Sequence, residues 1–435
     1  MTKTRDENDR AVDGTLPDDP EDDAARASGQ GATRAHAVAC GEPQGACGPD
    51  GEAFEPLVSV AGAMAELTAR WTRPDVAHPT GLKQLDHLLA GGVRAGDMLA
   101  LVGAAKGGKS ALFGQVLYEL ARSGVLGVYA SVEMPRPQVV SRWVVREAFL
   151  EAYRTDPSGK AGAWCIGFSD VLYGKAWRGD GIEDNIIADS VRRRLEAAMD
   201  TVGKAGERLF VEHLNPCSTC LDLRSIIERA KKQTGHEGLT VLLLDPIQRL
   251  YAHASGEVSG HGLERLNAEE TGRVGLVAQQ LKVLVDAPAL NLAVLFTSDT
   301  TKAGAGKTTI DSVTDMRGTY MLNHVATAIF GIAVGTSEQL AEALGNKPDL
   351  DGKKPLDADA LGKRIDTNMG GHPMAVKLKS KVAHLQCSGN RNGPNDDAAF
   401  TFVPGAMTFA ESPKLDLNSK APTLREKSVR GKARR

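Results

Sequence analysis

A handful of residue types at one fixed spacing is enough to hold a triphosphate. Gly103, Ala104, Ala105, Lys106, Gly107, Gly108, Lys109 and Ser110 fit the pattern G-x-x-x-x-G-K-[ST] at every fixed position. Glycines in such a loop let backbone N–H groups turn inward around phosphate oxygens, and a helix starting at its end adds partial positive charge. The Lys109 ammonium is then set to reach the β- and γ-phosphates, and the Ser110 hydroxyl to ligate Mg²⁺. Two carboxylates complete a hydrolytic set. Glu133 closes the apolar run 126–132, read as a strand beside the loop's own strand, where a carboxylate can orient an attacking water. Asp245 ends the run 239–244, the pattern of a strand buried on both faces whose terminal carboxylate meets Mg²⁺ or its water. ATP and Mg²⁺ are the ligands this set predicts.

The loop works only between a strand and a helix, and both are written into the chain. Residues 98–102 are an apolar run of strand length, and Leu112, Val116, Leu117 and Leu120 recur at helical spacing until Gly124. Further strands are predicted at 209–214, 292–297, 326–332, 374–386 and 400–409. Helices are predicted at 138–153, 184–202, 221–233 and 264–285, the third with Ser218 or Thr219 as its N-cap. Strands alternating with helices imply an α/β fold, a mostly parallel sheet flanked by helices.

Composition bounds the rest. The formal net charge is −3, so no global basicity announces nucleic acid, and any such contact must come from local patches. The N-terminus has no apolar h-region and no run approaches membrane-spanning length, which predicts a cytoplasmic protein. Six cysteines in so long a chain predict reduced thiols. Residues 1–55, rich in Asp, Glu, Gly, Ala and Pro, read as a disordered acidic head, and 57–71 as a short docking helix. The ATPase domain is expected over 56–412, with insertions at about 155–205 and 335–373, followed by a basic disordered tail over 413–435. Cys217 and Cys220 form a lone C-x-x-C, a weak signal for redox or metal chemistry with no second half in sight.

Several blocks carry a resemblance. Thr80–Gly92 reads T-G-x-x-x-L-D-x-x-L-x-G-G directly before the loop. This lead-in resembles RecA-like P-loop ATPases, among them KaiC-like proteins and the DnaB-like hexameric helicases of superfamily 4. Ser131-Val-Glu-Met134 is similar to the Ser-Leu-Glu-Met of DnaB-like helicases, and Asp245-Pro-Ile-Gln248 to their Asp-Tyr-Leu-Gln. Asp315-Met-Arg317-Gly-Thr319 resembles a block of DnaB-like helicases that has an Arg-Gly-Ser version in RepA-like ATPases, and 389–394 is similar to the Lys-x-Arg-Asn-Gly-Pro hairpin of DnaB-like helicases. The resemblance implies that Glu133 is the catalytic base and that Arg391 is a finger acting on the neighbouring subunit's ATP. It further implies a homo-oligomeric ring, a hexamer, whose loops at 300–320 meet single-stranded DNA through Lys302, Lys307 and Arg317. The implied activity is that of an ATP-dependent DNA translocase in replication. The alternative is a KaiC-like or recombinase-like switch that assembles on DNA or a partner without unwinding. Three positions depart from the DnaB-like pattern: Asp299 stands where a glutamine senses the γ-phosphate, Gly318 where a glutamate is usual, and Gly389 where a lysine is usual.

Overall fold

The computed structural model describes residues 59–72, 76–156, 165–254, 260–301, 321–335 and 373–411. The chain divides into two compact units, Met1–Thr72 and Arg73–Arg435. In the first, the described part is one helix, Val60–Thr72, with Val60, Met64, Leu67 and Trp71 exposed. The predicted acidic head, the 335–373 insertion apart from its ends, the basic tail, and Lys302, Lys307 and Arg317 lie outside the described residues.

Among the described residues the second unit holds nine strands: β1 (Met98–Gly103), β2 (Leu126–Ser131), β3 (Leu209–His213), β4 (Thr240–Asp245), β5 (Leu292–Asp299), β6 (Ala328–Gly335), β7 (Lys381–Asn390), β8 (Asp397–Val403) and β9 (Thr408–Glu411). They form one sheet in the order β3-β2-β4-β5-β1-β6-β7-β8-β9. From β3 through β6 every neighbouring pair is parallel, and from β6 onward the pairs are antiparallel. The sheet is therefore mostly parallel, as the alternation of elements predicted.

Burial explains why the central strands read as unbroken apolar runs. All six residues of β1 are buried, and so are all six of β2 and of β4. Successive side chains point to opposite faces. Leu99 and Leu101 join one apolar layer with Leu112, Phe113 and Val116, while Met98, Ala100 and Val102 join the other with Leu223, Ile227 and Val277. Helices cover both faces, so neither can be polar. The insertion after residue 155 contributes to the first layer: Val191, Leu195 and Ala198 of helix Asn185–Ala205 are buried in it. Among the described residues no helix is long and apolar enough to cross a membrane.

Besides the strand expected over 400–409, which is two antiparallel strands turned at Pro404–Ala406, three expectations need correction. First, β2 is not beside β1, because β4 and β5 lie between them. Second, the strand expected over 374–386 begins only at Lys381, after the short helix Pro373–Lys377. Proline fits the first turn of a helix, and Lys379, with φ +60, breaks the chain before the strand. Lys377 and Lys379 therefore precede the strand, and Lys381 opens it. Third, the helix expected over 264–285 is two helices, Gly260–Ala268 and Glu270–Asp286, parted at the extended Glu269. The Asn267 side chain holds this break by exchanging hydrogen bonds of 3.0 Å with both backbone groups of Ala252, and Arg273 Nη1 donates to the Asn267 carbonyl.

Candidate active site

The loop 104–108 joins the C-terminal end of β1 to helix Lys109–Arg122. No side chain caps the first turn of that helix, so its leading amides stay available to an anion. Two glycines are required, Gly103 by space and Gly108 by its backbone conformation. A Cβ on Gly103 would lie 2.8 Å from Ile332 Cγ2. Gly108 has φ +86, and a Cβ there would approach the ring of Phe409 to 3.1 Å. The Lys109 side chain is 7% exposed, and its Nζ donates to Gly103 O at 2.8 Å, Ala104 O at 2.9 Å and Asp299 Oδ1 at 2.9 Å.

Asp245 sits at the end of β4, where three hydroxyls converge on it. Oδ1 accepts from Ser110 Oγ at 3.0 Å and from Thr297 Oγ1 at 2.5 Å, and Oδ2 accepts from Tyr129 OH at 2.6 Å. Burial, followed by the adjacent Asp245 carboxylate, pushes the Tyr129 phenol far above its ordinary range, so it stays a neutral donor. Carboxylate and hydroxyl oxygens are the hard donors that Mg²⁺ takes, and the Ser110–Asp245 pair fits that ion. Tyr129 would orient the carboxylate from behind. Tyr129→Phe is expected to raise about tenfold the Mg²⁺ concentration giving half-maximal nucleotide binding. Nucleotide titrations with and without Mg²⁺ test this, since the affinity measured with a chelator should not change.

Glu133 lies two residues beyond Ser131, which is in register with Asp245 across the β2–β4 pair. The two carboxylates therefore share the C-terminal edge of the sheet, although Glu133 is not on a strand next to β1. The Glu133 side chain is half exposed and accepts from Arg249 Nε at 3.0 Å. Nearby, Gln248 Nε2 donates to Ser298 Oγ at 2.7 Å, tying the segment after β4 to the end of β5.

A cleft of 250 Å³ opens beside the loop, walled by Lys106, Gly108 and Ser110 on one side and by Arg142, Phe402 and Met407 on the other. Arg142 was not foreseen. Its Nε is buried with no hydrogen-bond partner among the described residues. In the sequence it is one arginine on an amphipathic helix, the usual mark of a solvated face. Phe402 and Phe409, stacked at 4.2 Å between centroids, come from strands that belong to the far end of the sheet. They pack against the loop because helix Lys109–Arg122 crosses to them: Gln115 Nε2 donates to Phe409 O, and Phe409 N donates to Gln115 Oε1. No local pattern announces this.

Arg391 is not brought to this cluster. β7 runs antiparallel to β6, with Asn390 opposite Ala328, and Ala328 is opposite Leu99 at the start of β1. Asn392 Nδ2 reaches Asp97 Oδ1 at 3.5 Å, just ahead of β1. Arg391 is exposed there and donates through Nη2 to His324 O. The loop at the other end of β1 is a full strand away, about 20 Å. Cys217 and Cys220 do not act together either. Cys220 is buried, its thiol pushed up to about 12 by burial first and Asp222 second, whereas Cys217 is exposed. Thr219 between them caps helix Cys220–Thr234 through a capping box with Asp222.

Strand–loop–helix, Asp245 at the end of β4 and the strand order together define a RecA-like P-loop ATPase fold. Within that class, the solved structures it resembles include ATPase domains of DnaB-like replicative helicases. An isolated ATPase domain of this kind superimposes with a TM-score of 0.56 at 13% identity, covering 82% of this chain and 99% of that one. A DnaB-like replicative helicase, described with its interactions with primase, gives a TM-score of 0.55 at 12% identity, covering 83% of this chain and 69% of the other. No protein-family model and no curated protein matches the sequence.

Proposed function

We propose that the protein hydrolyses ATP at interfaces between copies of itself and uses that hydrolysis to translocate on single-stranded DNA, in the manner of a replicative helicase. The observation that carries this reading is the division of the site: Lys109, Ser110 and Asp245 converge on one edge of the sheet, while Arg391 projects from the opposite edge. An arginine so placed cannot serve its own loop, but it can serve the loop of an adjacent copy.

In this reading the amides of 104–110 and the Lys109 ammonium hold the β- and γ-phosphates, and Arg142 offers a second cation from the cleft wall. Mg²⁺ held by Ser110 and Asp245 would neutralise phosphate charge. Glu133 accepts a proton from the water that attacks the γ-phosphorus, while the bond to the β,γ-bridging oxygen breaks and ADP leaves. Glu133 must first leave Arg249, an exposed pairing whose net stabilisation is at most about 1 kcal/mol. The segment 302–320, which follows β5, would meet the DNA backbone through Lys302, Lys307 and Arg317.

Turnover of ATP with and without single-stranded DNA, run beside a particle-size measurement, tests the whole reading. DNA is expected to stimulate turnover severalfold, and the stimulation should fall steeply between about 50 and 200 mM salt. A salt-independent response, or none, would sink the translocase. The second reading is a switch that assembles with little unwinding. It is favoured by the fact that both Lys109 and Glu133 have oppositely charged partners at rest, which suits slow turnover. Assembly on DNA without strand separation would select it.

A further inference from the structure

We propose that Asp299 sets the site's preference between nucleoside tri- and diphosphates by opposing the terminal phosphate of the triphosphate. The inference rests on the nucleotide-binding reading of the loop. β5 lies next to β1, and Asp299 is in register with Gly103, the first residue of the loop. Its carboxylate is thus fixed beside the cradle by the backbone pairing of two central strands.

The Lys109 ammonium has three N–H donors, and three acceptors already use them: two loop carbonyls and Asp299 Oδ1. A phosphate oxygen can engage this lysine only by displacing one of them. Gly103 O and Ala104 O belong to the loop backbone and cannot withdraw without remaking it. Asp299 is a side chain at the open end of a strand, 37% exposed, and is the acceptor that can yield. Once displaced it stays within a few ångströms of the position its rival now holds, so two anions face each other across one cation. Like charges that close, in a partly buried setting, repel far more than they would in bulk water.

The repulsion is not equal for all nucleotides. The γ-phosphate adds charge at the outer end of the chain, where the lysine reaches. A diphosphate lacks that group and leaves the Lys109–Asp299 pair less disturbed. Asp299 therefore weakens triphosphate binding more than diphosphate binding, and the resting ion pair competes with the γ-phosphate for the same ammonium.

Equilibrium calorimetry on the full chain with Mg²⁺, a non-hydrolysable ATP analogue and ADP tests this. The unmodified protein is expected to bind ADP more tightly than the analogue. Asp299→Asn, which keeps the shape and the acceptor but not the charge, and Asp299→Ala, which removes both, should each tighten analogue binding about tenfold and ADP binding less than about threefold. Raising the salt concentration should narrow the gap in the unmodified protein and leave the variants less affected. An unmodified protein that prefers the triphosphate, or variants that change both affinities equally or weaken the triphosphate, would overturn the proposal. An unmodified protein that binds neither nucleotide would instead overturn the nucleotide reading itself.

Discussion

Lys109→Ala is expected to cut ATP turnover by at least about a thousand-fold and to weaken nucleotide binding with it. The size follows from where the ammonium sits. It is almost fully buried, donates to two loop carbonyls, and is the cation at the floor of the cradle. Preorganised charge in a water-poor site acts far more strongly than the same charge in solvent. Alanine removes that charge and strips Asp299 of its partner, so the carboxylate then faces incoming phosphate unopposed. Both effects act in the same direction. Binding and turnover measured on the same sample are the check, with a melting curve to show that the sheet has kept its fold. Retained turnover would mean that the phosphates lie elsewhere.

Arg391→Ala is expected to leave nucleotide binding to the isolated chain nearly unchanged while lowering turnover by about 10³–10⁵ in the assembled protein. The separation of the two effects is the informative part. Arg391 is about a strand's length from its own loop, so it contributes nothing to binding within one copy. Its worth would lie in stabilising transition-state charge on a neighbour. Mixing supplies the decisive measurement. Lys109→Ala chains keep Arg391, and Arg391→Ala chains keep the cradle. In an equal random mixture about a quarter of the interfaces join the two intact halves, and activity should reappear in that proportion. Two inactive proteins that stay inactive together would show that the arginine does not act across an interface.

The legible parts of this molecule were those dictated by neighbours in sequence. The loop 103–110 is a local conformational requirement, and residues 98–103 and 240–245 read as buried strands because both faces of the sheet are covered. The hydroxyl cluster was half legible. Ser110 and Asp245 follow from motif and strand end, but Tyr129 and Thr297 come from interior positions of β2 and β5 and look like ordinary core residues. Strand order could not be read at all, which is why Glu133 was expected next to the loop's strand. Two strands intervene, and the carboxylate reaches the site's edge through its register with Asp245 instead. Arg142, which reads as part of a solvated helix face, and the Phe402–Phe409 stack were invisible because they meet the loop only once the sheet has closed over helix Lys109–Arg122. Asp299 was visible as a departure, and the structure supplies the counter-charge it needs in Lys109.

An Arg391 that serves a neighbour's cradle, as proposed, would also limit how copies can be arranged. In a two-fold dimer residue i of one copy meets residue j of the other and j meets i, so each arginine reaches the other copy's cradle only where both groups lie on one shared face. Where they lie on different faces, head-to-tail, heterologous contacts join the two, and these give either a closed ring or an open spiral. An open row always carries one unfinished cradle at one end and one idle arginine at the other, whereas a closed row carries neither. Activity per chain should therefore climb as the assembly lengthens and reach its ceiling at closure.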